Sequence, residues 1–130
     1  MIDHVSIAVR DLRKAEPFYA ALLAPLGMRK MREWPNAAIG FGKTYPEFWI
    51  NRRPSMPRVE EDSGGHICLR ATDTRAVEDF HAAGLKAGGT SDGAPGLRTE
   101  YHSSYYAAFV RDPDGNRIEA VTFLREEAAK

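Results

Sequence analysis

Residues 4–27 and 66–89 are two copies of one segment, 62 positions apart. HVSIAVRDLRKAEPFYAALLAPLG aligns without a gap on HICLRATDTRAVEDFHAAGLKAGG, and nine of the 24 positions are identical. They are His4/His66, Asp11/Asp73, Arg13/Arg75, Glu16/Glu78, Phe18/Phe80, Ala20/Ala82, Ala21/Ala83, Leu23/Leu85 and Gly27/Gly89. Unrelated segments of ordinary composition would share about one or two. Two copies are too few for a solenoid, but they suit two similar modules that cover each other's apolar faces.

Each copy opens with a strand. Val5, Ile7 and Val9 alternate with His4, Ser6 and Ala8, and Ile67, Leu69 and Ala71 alternate with His66, Cys68 and Arg70. The period of two places each histidine on the more polar face and frees the apolar face to cover a helix. That helix follows at once. Asp11 is the expected N-cap of the first, with Leu12, Ala15, Phe18, Tyr19, Leu22, Leu23 and Leu26 at helical spacing and Pro25 and Gly27 closing it. Asp73 caps the second, which offers Val77, Phe80 and Leu85 and stops at Gly88-Gly89.

Three further strands are expected in the first half: Arg29–Trp34, Ala37–Gly42 and Glu47–Asn51. Arg52–Gly65, with Pro54, Pro57 and an acidic cluster, reads as the linker. In the second half, Gly89–Gly96 reads as turn, and strands are expected at Leu97–His102, Tyr105–Arg111 and Arg117–Leu124. The strong turn Asp112-Pro113-Asp114-Gly115-Asn116 joins the last two. The charged tail Arg125–Lys130 is helix-prone and expected to fray. The fold class is therefore α+β: two βαβββ modules, about residues 1–56 and 64–124, in one domain over 1–130.

Composition narrows the function classes. Eighteen Lys+Arg balance eighteen Asp+Glu, so the chain lacks the basic excess of a general polyanion binder, and no nucleic-acid partner is expected. Cys68 is the only cysteine and cannot form an intrachain disulfide, so nothing calls for an oxidising compartment. The longest nearly apolar stretch, Ala20–Met28, is far below the roughly 18 residues of a membrane span. The opening residues lack a signal-peptide pattern. The expectation is a cytoplasmic protein with no membrane partner.

Three residues stand out as candidates for chemistry. Alone, His4 or His66 would be an ordinary hydrogen-bonding residue at the start of a strand. Their duplication lets them converge near a pseudo-twofold axis. Glu119, between Ile118 and Ala120 in the last strand, would need a partner if buried. Two imidazoles and a carboxylate suit a divalent first-row ion.

The whole chain resembles the vicinal oxygen chelate superfamily, which includes glyoxalase I, extradiol dioxygenases, glutathione-dependent fosfomycin resistance proteins and bleomycin resistance proteins. The resemblance is carried by Ile2-Asp3-His4-Val5, Phe18-Tyr19, Gly65-His66-Ile67 and Phe109-Val110-Arg111-Asp112-Pro113-Asp114-Gly115-Asn116-Arg117-Ile118-Glu119. It implies curved mixed sheets forming a half-open barrel, helices outside, around one divalent metal (Zn, Ni, Mn or Fe) held by His4, His66 and Glu119. Glyoxalase I adds a fourth ligand at the position that repeats Glu119. Pairing Phe48-Trp49-Ile50 with Ile118-Glu119-Ala120 puts Trp49 there, and indole only donates. Glu47, two residues away on the same face, is the alternative. The preferred reading is a three-ligand site with Trp49 lining the pocket.

Tyr105 and Glu119 are the candidate catalytic residues, and Tyr101, His102 and Tyr106 join Trp49 as candidate pocket residues. Phenol and imidazole can donate to a substrate oxygen or act as acid and base. Tyr105 and Tyr106 must face opposite sides, so at most one lines the site. Cys68 reads as a packing residue. Arg98 and Arg52-Arg53 are either solvated charges or contacts for an anionic substrate. The resemblance implies a metal-dependent lyase, glutathione transferase or dioxygenase acting on a small oxygen-chelating substrate, with glutathione as an optional co-substrate. The alternative it leaves open is a drug-binding protein without catalysis. It also implies a homodimer, with the metal site built within one chain or between two.

Overall fold

The computed structural model describes residues 1–125; the expectation for the tail beyond Arg125 lies outside them. Two βαβββ modules are present. The first contains β1 (Val5–Val9), α1 (Leu12–Leu23), β2 (Arg29–Trp34), β3 (Ala38–Gly42) and β4 (Phe48–Arg52). The second contains β5 (Ile67–Arg70), α2 (Thr74–Lys86), β6 (Thr90–Leu97), β7 (Tyr105–Arg111) and β8 (Arg117–Phe123). Each forms its own four-stranded mixed sheet, ordered β1-β4-β3-β2 and β5-β8-β7-β6. In each sheet the first strand pairs parallel with the last and the other pairs are antiparallel. The sheets do not close into a barrel within the chain.

The helices start where their caps require. The Asp11 carboxylate accepts from the N–H groups of Arg13 and Lys14 at 2.9 and 3.3 Å, and Asp73 accepts from Ala76 N–H at 2.8 Å. Both satisfy donors that a helix N-terminus otherwise leaves open. Phe18, Tyr19, Leu22 and Leu23 of α1 and Val77 and Phe80 of α2 are buried with Phe41, Phe48, Ile50, Val110 and Ile118 of the sheets. One core thus lies between the sheets and the helices, and α1 packs on α2 to join the modules.

The turn after β7 is a second junction between modules. Asp112 is buried and accepts from Tyr19 O–H at 2.5 Å and from the Asn116 side-chain amide at 2.8 Å. The same amide donates to the Ala8 carbonyl of the first module at 2.9 Å. Arg10 Nε donates to Asp114 at 2.7 Å. Burial pushes the Asp112 carboxyl above its ordinary value, against the lowering effect of these donors. Burial, then the neighbouring Asp112 charge, raises the Tyr19 hydroxyl well above its own ordinary value.

One expectation of the second half fails. Residues 90–97 are strand β6, and residues 98–104 are turns and loop, so Leu97–His102 is not a strand. Gly and Pro would weaken a central strand, but β6 is an edge strand paired only with β7, where Pro95 costs no required ladder bond. Its register breaks between Ser91 and Gly93 and again between Gly93 and Gly96, which absorbs the irregular residues as bulges.

Candidate metal centre

Alternation along β5, β7 and β8 sends Ile118, Ala108 and Val110 into the core and turns Cys68, Glu119, Tyr105 and Phe109 to the open face. Glu119 lies opposite Cys68 on one side and Phe109 on the other. Its side chain is only 3% exposed, whereas that of His66 is 44% exposed. His66 Nε2 stands 3.0 Å from one Glu119 oxygen, and Tyr105 O–H donates to the other at 2.5 Å. His66, Glu119 and Tyr105 therefore meet at one point of the open face.

Burial, followed by the Glu119 hydrogen bond, pushes the Tyr105 hydroxyl far above its ordinary value, so it stays an O–H donor. The Cys68 thiol lies 3.9 Å from the Tyr105 oxygen. Burial first, then the Glu119 charge, pushes it up to about 12. Cys68 is exposed on this face rather than packed inside, and it is a neutral thiol.

His4 does not join the group within one chain. It precedes β1, is half exposed, and its Nδ1 contacts Asp3 at 2.7 Å. Tyr45 O–H donates to the same carboxylate oxygen at 2.7 Å. These contacts lower the Asp3 carboxyl, the His4 bond most. Among the described residues, no three His, Cys, Asp or Glu side chains of a single chain could hold an ion together. His66 and Glu119 are thus two members of a candidate ligand set without a third.

The donor set fits a divalent ion. The 3.0 Å between His66 Nε2 and Glu119 is a hydrogen-bond distance, and an imidazole beside a carboxylate is a donor pair of the kind that first-row divalent ions take. Among the described residues, His66 is the only side chain able to carry positive charge within 4.0 Å of the Glu119 carboxylate. A buried carboxylate with one half-exposed imidazole as its compensating partner is suited to a cation at that face.

Trp49 stands where the duplication places it. Ser6 pairs with Trp49 as Cys68 pairs with Glu119, and Gly40 pairs with Trp49 as Phe109 pairs with Glu119. The indole is half-buried on the open face of the first sheet and donates to the Pro46 carbonyl at 3.1 Å. Gly40 makes room for it: a Cβ there would lie 2.9 Å from the ring. Glu47 is exposed just before β4, and its carbonyl accepts from Val5 N–H.

Of the remaining pocket candidates, Tyr101 packs edge-on against Tyr105 with centroids 5.1 Å apart and sits at the rim. Tyr106 does not belong there. It points to the helix side, where its O–H donates to Glu78 of α2 at 2.8 Å. His102 lies in the turn before β7, where its Nδ1 accepts from Ser104 N–H at 3.0 Å and its ring packs edge-on against Phe123. Sequence reading missed Phe109, whose ring centroid is 6.2 Å from that of His66. Its place opposite Glu119 across the Asp112–Asn116 turn was the available signal.

Paired βαβββ modules with a His/Glu/Tyr group on an open sheet define a small class of folds. A family model described as the Glyoxalase/Bleomycin resistance protein/Dioxygenase superfamily matches residues 1–120, and the chain belongs to that superfamily. It is 32% identical to a "Probable lactoylglutathione lyase" of Synechocystis sp., over 91% of this chain and 92% of that protein. It is 27% identical to "Metallothiol transferase FosB" of Shouchella clausii, over 93% and 79% respectively. A solved glyoxalase/bleomycin resistance protein from Albidiferax ferrireducens superimposes with a TM-score of 0.78 at 31% identity, covering 91% of this chain and 95% of that one. Among the described residues, no helix is long and apolar enough to cross a membrane.

Proposed function

We propose that the protein is a divalent-metal-dependent enzyme of this superfamily that acts on a small oxygen-chelating substrate. The observation that carries the reading is the buried Glu119 carboxylate, bonded by His66 on one oxygen and Tyr105 on the other. His66 and Glu119 would hold the ion, and His4 of a second copy would complete the set in a homodimer. Bound there, the ion supplies Lewis-acid stabilisation of negative charge developing on a substrate oxygen.

The chain's own residues do the rest. Tyr105 keeps its proton and donates it as a hydrogen bond. It thereby orients the Glu119 carboxylate, which accepts that single proton. Glu119 is buried, and in this reading its carboxylate accepts a proton from the substrate. Trp49 and Phe109 supply apolar walls. Exposed apolar side chains border both half-sites: Ile2 and Tyr45 near His4, Tyr101 and Phe123 near Tyr105. A second copy covering both would bury them. The relatives' names favour a lyase or transferase, with a thiol such as glutathione as co-substrate.

Metal analysis of protein isolated without chelator, with His66→Ala as control, tests the reading. About one divalent ion per chain, lost in the variant, is expected. Metal-free wild-type protein that gains no ion on addition of Zn, Ni, Mn or Fe contradicts it.

A further inference from the structure

We propose that Arg117, with Arg111, is a positioning residue for the centre: the two arginines clamp the segment between the modules onto the second sheet and so hold His66 against Glu119. The proposal rests on the reading of His66 as a metal ligand and adds what keeps that ligand in place.

Residues 53–66 join β4 to β5 without helix or strand, yet their second half is tied down along its length. Arg58 Nη1 donates to the Pro113 carbonyl at 2.7 Å, and Val59 N–H donates to the Asp114 carbonyl at 2.9 Å. Further on, the Glu61 carbonyl accepts from Arg111 Nη2 at 3.1 Å and from Arg117 Nη2 at 2.9 Å. The Ser63 carbonyl accepts from Arg117 Nη1 at 2.7 Å. The ties run from the Asp112–Asn116 turn onto the strand ends beside it, and the chain then enters His66.

The clamp is built into the sheet. Arg111 and Arg117 are register partners at the ends of β7 and β8, on the face that carries Phe109 and Glu119. The Arg111 side chain is only 7% exposed. Asp92 of β6 lies 3.3 Å from Arg111 Nε and 3.2 Å from Arg117 Nε, so one carboxylate faces both guanidinium groups. Arg117 Nε is buried, yet it has no hydrogen-bond acceptor among the described residues. An open buried donor is unfavourable. Arg117 tolerates it while both terminal nitrogens reach the carbonyls of Glu61 and Ser63, so the segment, rather than Asp92, sets the plane of the guanidinium.

His66 sits between two fixed points. On one side Ile67 begins β5 and pairs with Ile118. On the other, Ser63 is held by Arg117, and only Gly64 and Gly65 separate it from His66. A Cβ on Gly64 would meet nothing within 4 Å, and one on Gly65 would meet only Ser63 Oγ at 4.0 Å. No crowding calls for glycine there, and the pair is a loose joint beside a candidate ligand. The His66 ring is half-exposed and meets Glu119 at 3.0 Å, so packing alone does not fix it. Holding Ser63 takes up the freedom of the two glycines and leaves the imidazole over the carboxylate.

Arg117→Met, which removes the donors and keeps the packing of the stem, tests the clamp in full-length protein. In metal-free protein, the amide heteronuclear NOE values of Gly64, Gly65 and His66 should fall below those of wild type, reporting faster local motion. Zn affinity by calorimetric titration should fall about tenfold or more, the scale of a lost outer-shell partner. The pair Gly64→Ala and Gly65→Ala restricts the joint. Added to Arg117→Met it should recover about fivefold of that loss, and in wild type it should change affinity by less than about twofold. A role in fold stability alone predicts a lower melting temperature without that recovery. Unchanged NOE values, a Zn affinity within about twofold of wild type, or a loss that the two alanines do not recover would overturn the proposal. Should Arg117→Met fail to fold, Arg117→Lys carries the test. A single ammonium lacks the planar fork that holds two carbonyls, so unchanged motion and affinity overturn the proposal equally. A wild-type protein that never takes Zn, but whose joint loosens in Arg117→Met, would refute the proposed metal centre alone.

Discussion

The two modules share one order of elements, and the same pairing around Trp49 and Glu119, yet their open faces carry opposite chemistry. At the equivalent point in each sheet, the first has an indole lying over Gly40 and the second a buried carboxylate beside Phe109. His4 starts one module exposed against Asp3, and His66 starts the other against Glu119. Both sheets bury their helix-facing side in one core. Among the described residues, only the second open face has a buried carboxylate with partners. A histidine before β1, and a pair made of the histidine before β5 and the glutamate of β8, then make sense as parts contributed to different copies of one proposed centre.

The largest effect should come from breaking the second face. Glu119→Gln keeps the shape but removes the charge. It should reduce metal affinity by more than about a hundredfold, since losing even an outer-shell partner costs about ten- to a hundredfold. Calorimetric titration with Zn or Mn would measure it. Trp49→Glu makes the first face like the second and should tighten binding in the same assay. No change would argue that Trp49 does not occupy the repeat of the Glu119 position in the assembled centre.

The junction between the modules should yield the next largest effect. Asp112→Ala strands the buried Tyr19 hydroxyl and the Asn116 amide. It should cost about 2–4 kcal/mol in denaturant unfolding, the penalty of one or two unpaired buried polar groups. Asp112 also has a pH signature. Because burial raises its folded-state pKa above 3.8, its contribution is full below that value and lost as pH rises through the raised one. Asp112→Asn should remove that part of the pH dependence, and an unchanged stability profile from pH 3 to 7 would count against a raised Asp112.

A smaller effect tests the packing of the first face. Gly40→Ala forces a methyl group against the indole and should destabilise by about 1–3 kcal/mol. Combining it with Trp49→Ala should remove most of that cost, and a thermal-melt double-mutant cycle reads the coupling. Least disruptive is labelling of Cys68. With its thiol held at about 12, alkylation at pH 8 should be far slower than for a free cysteine, and Glu119→Gln should speed it by removing one of the raising charges.

The sequence exposed those parts of the molecule that periodicity and duplication encode. Both helices with their Asp caps and most of the strands follow from alternation and from the repeat, and the family resemblance singled out His66 and Glu119. Strand β6 was illegible because Thr90–Leu97 pairs through bulges at an edge, where tertiary hydrogen bonding overrides a Gly- and Pro-rich composition. His102 was read within a strand, whereas it lies in the turn before β7, and Tyr106 faces α2 by the same alternation that turns Tyr105 to the open face. The Tyr19–Asp112 bond joins residues 93 positions apart, a contact no local pattern announces.

The central claim is that His66 and Glu119 of one chain work with His4 of another. Mixing His4→Ala protein with Glu119→Ala protein, after partial unfolding and refolding to exchange subunits, tests it directly through bound metal. Neither variant alone should bind. A shared centre gives each mixed dimer one complete set of ligands, so about a quarter of the wild-type metal content should return at equal mixing, since about half the dimers are mixed and each has one of two sites intact. A centre formed within one chain would recover none, and that result would contradict the account.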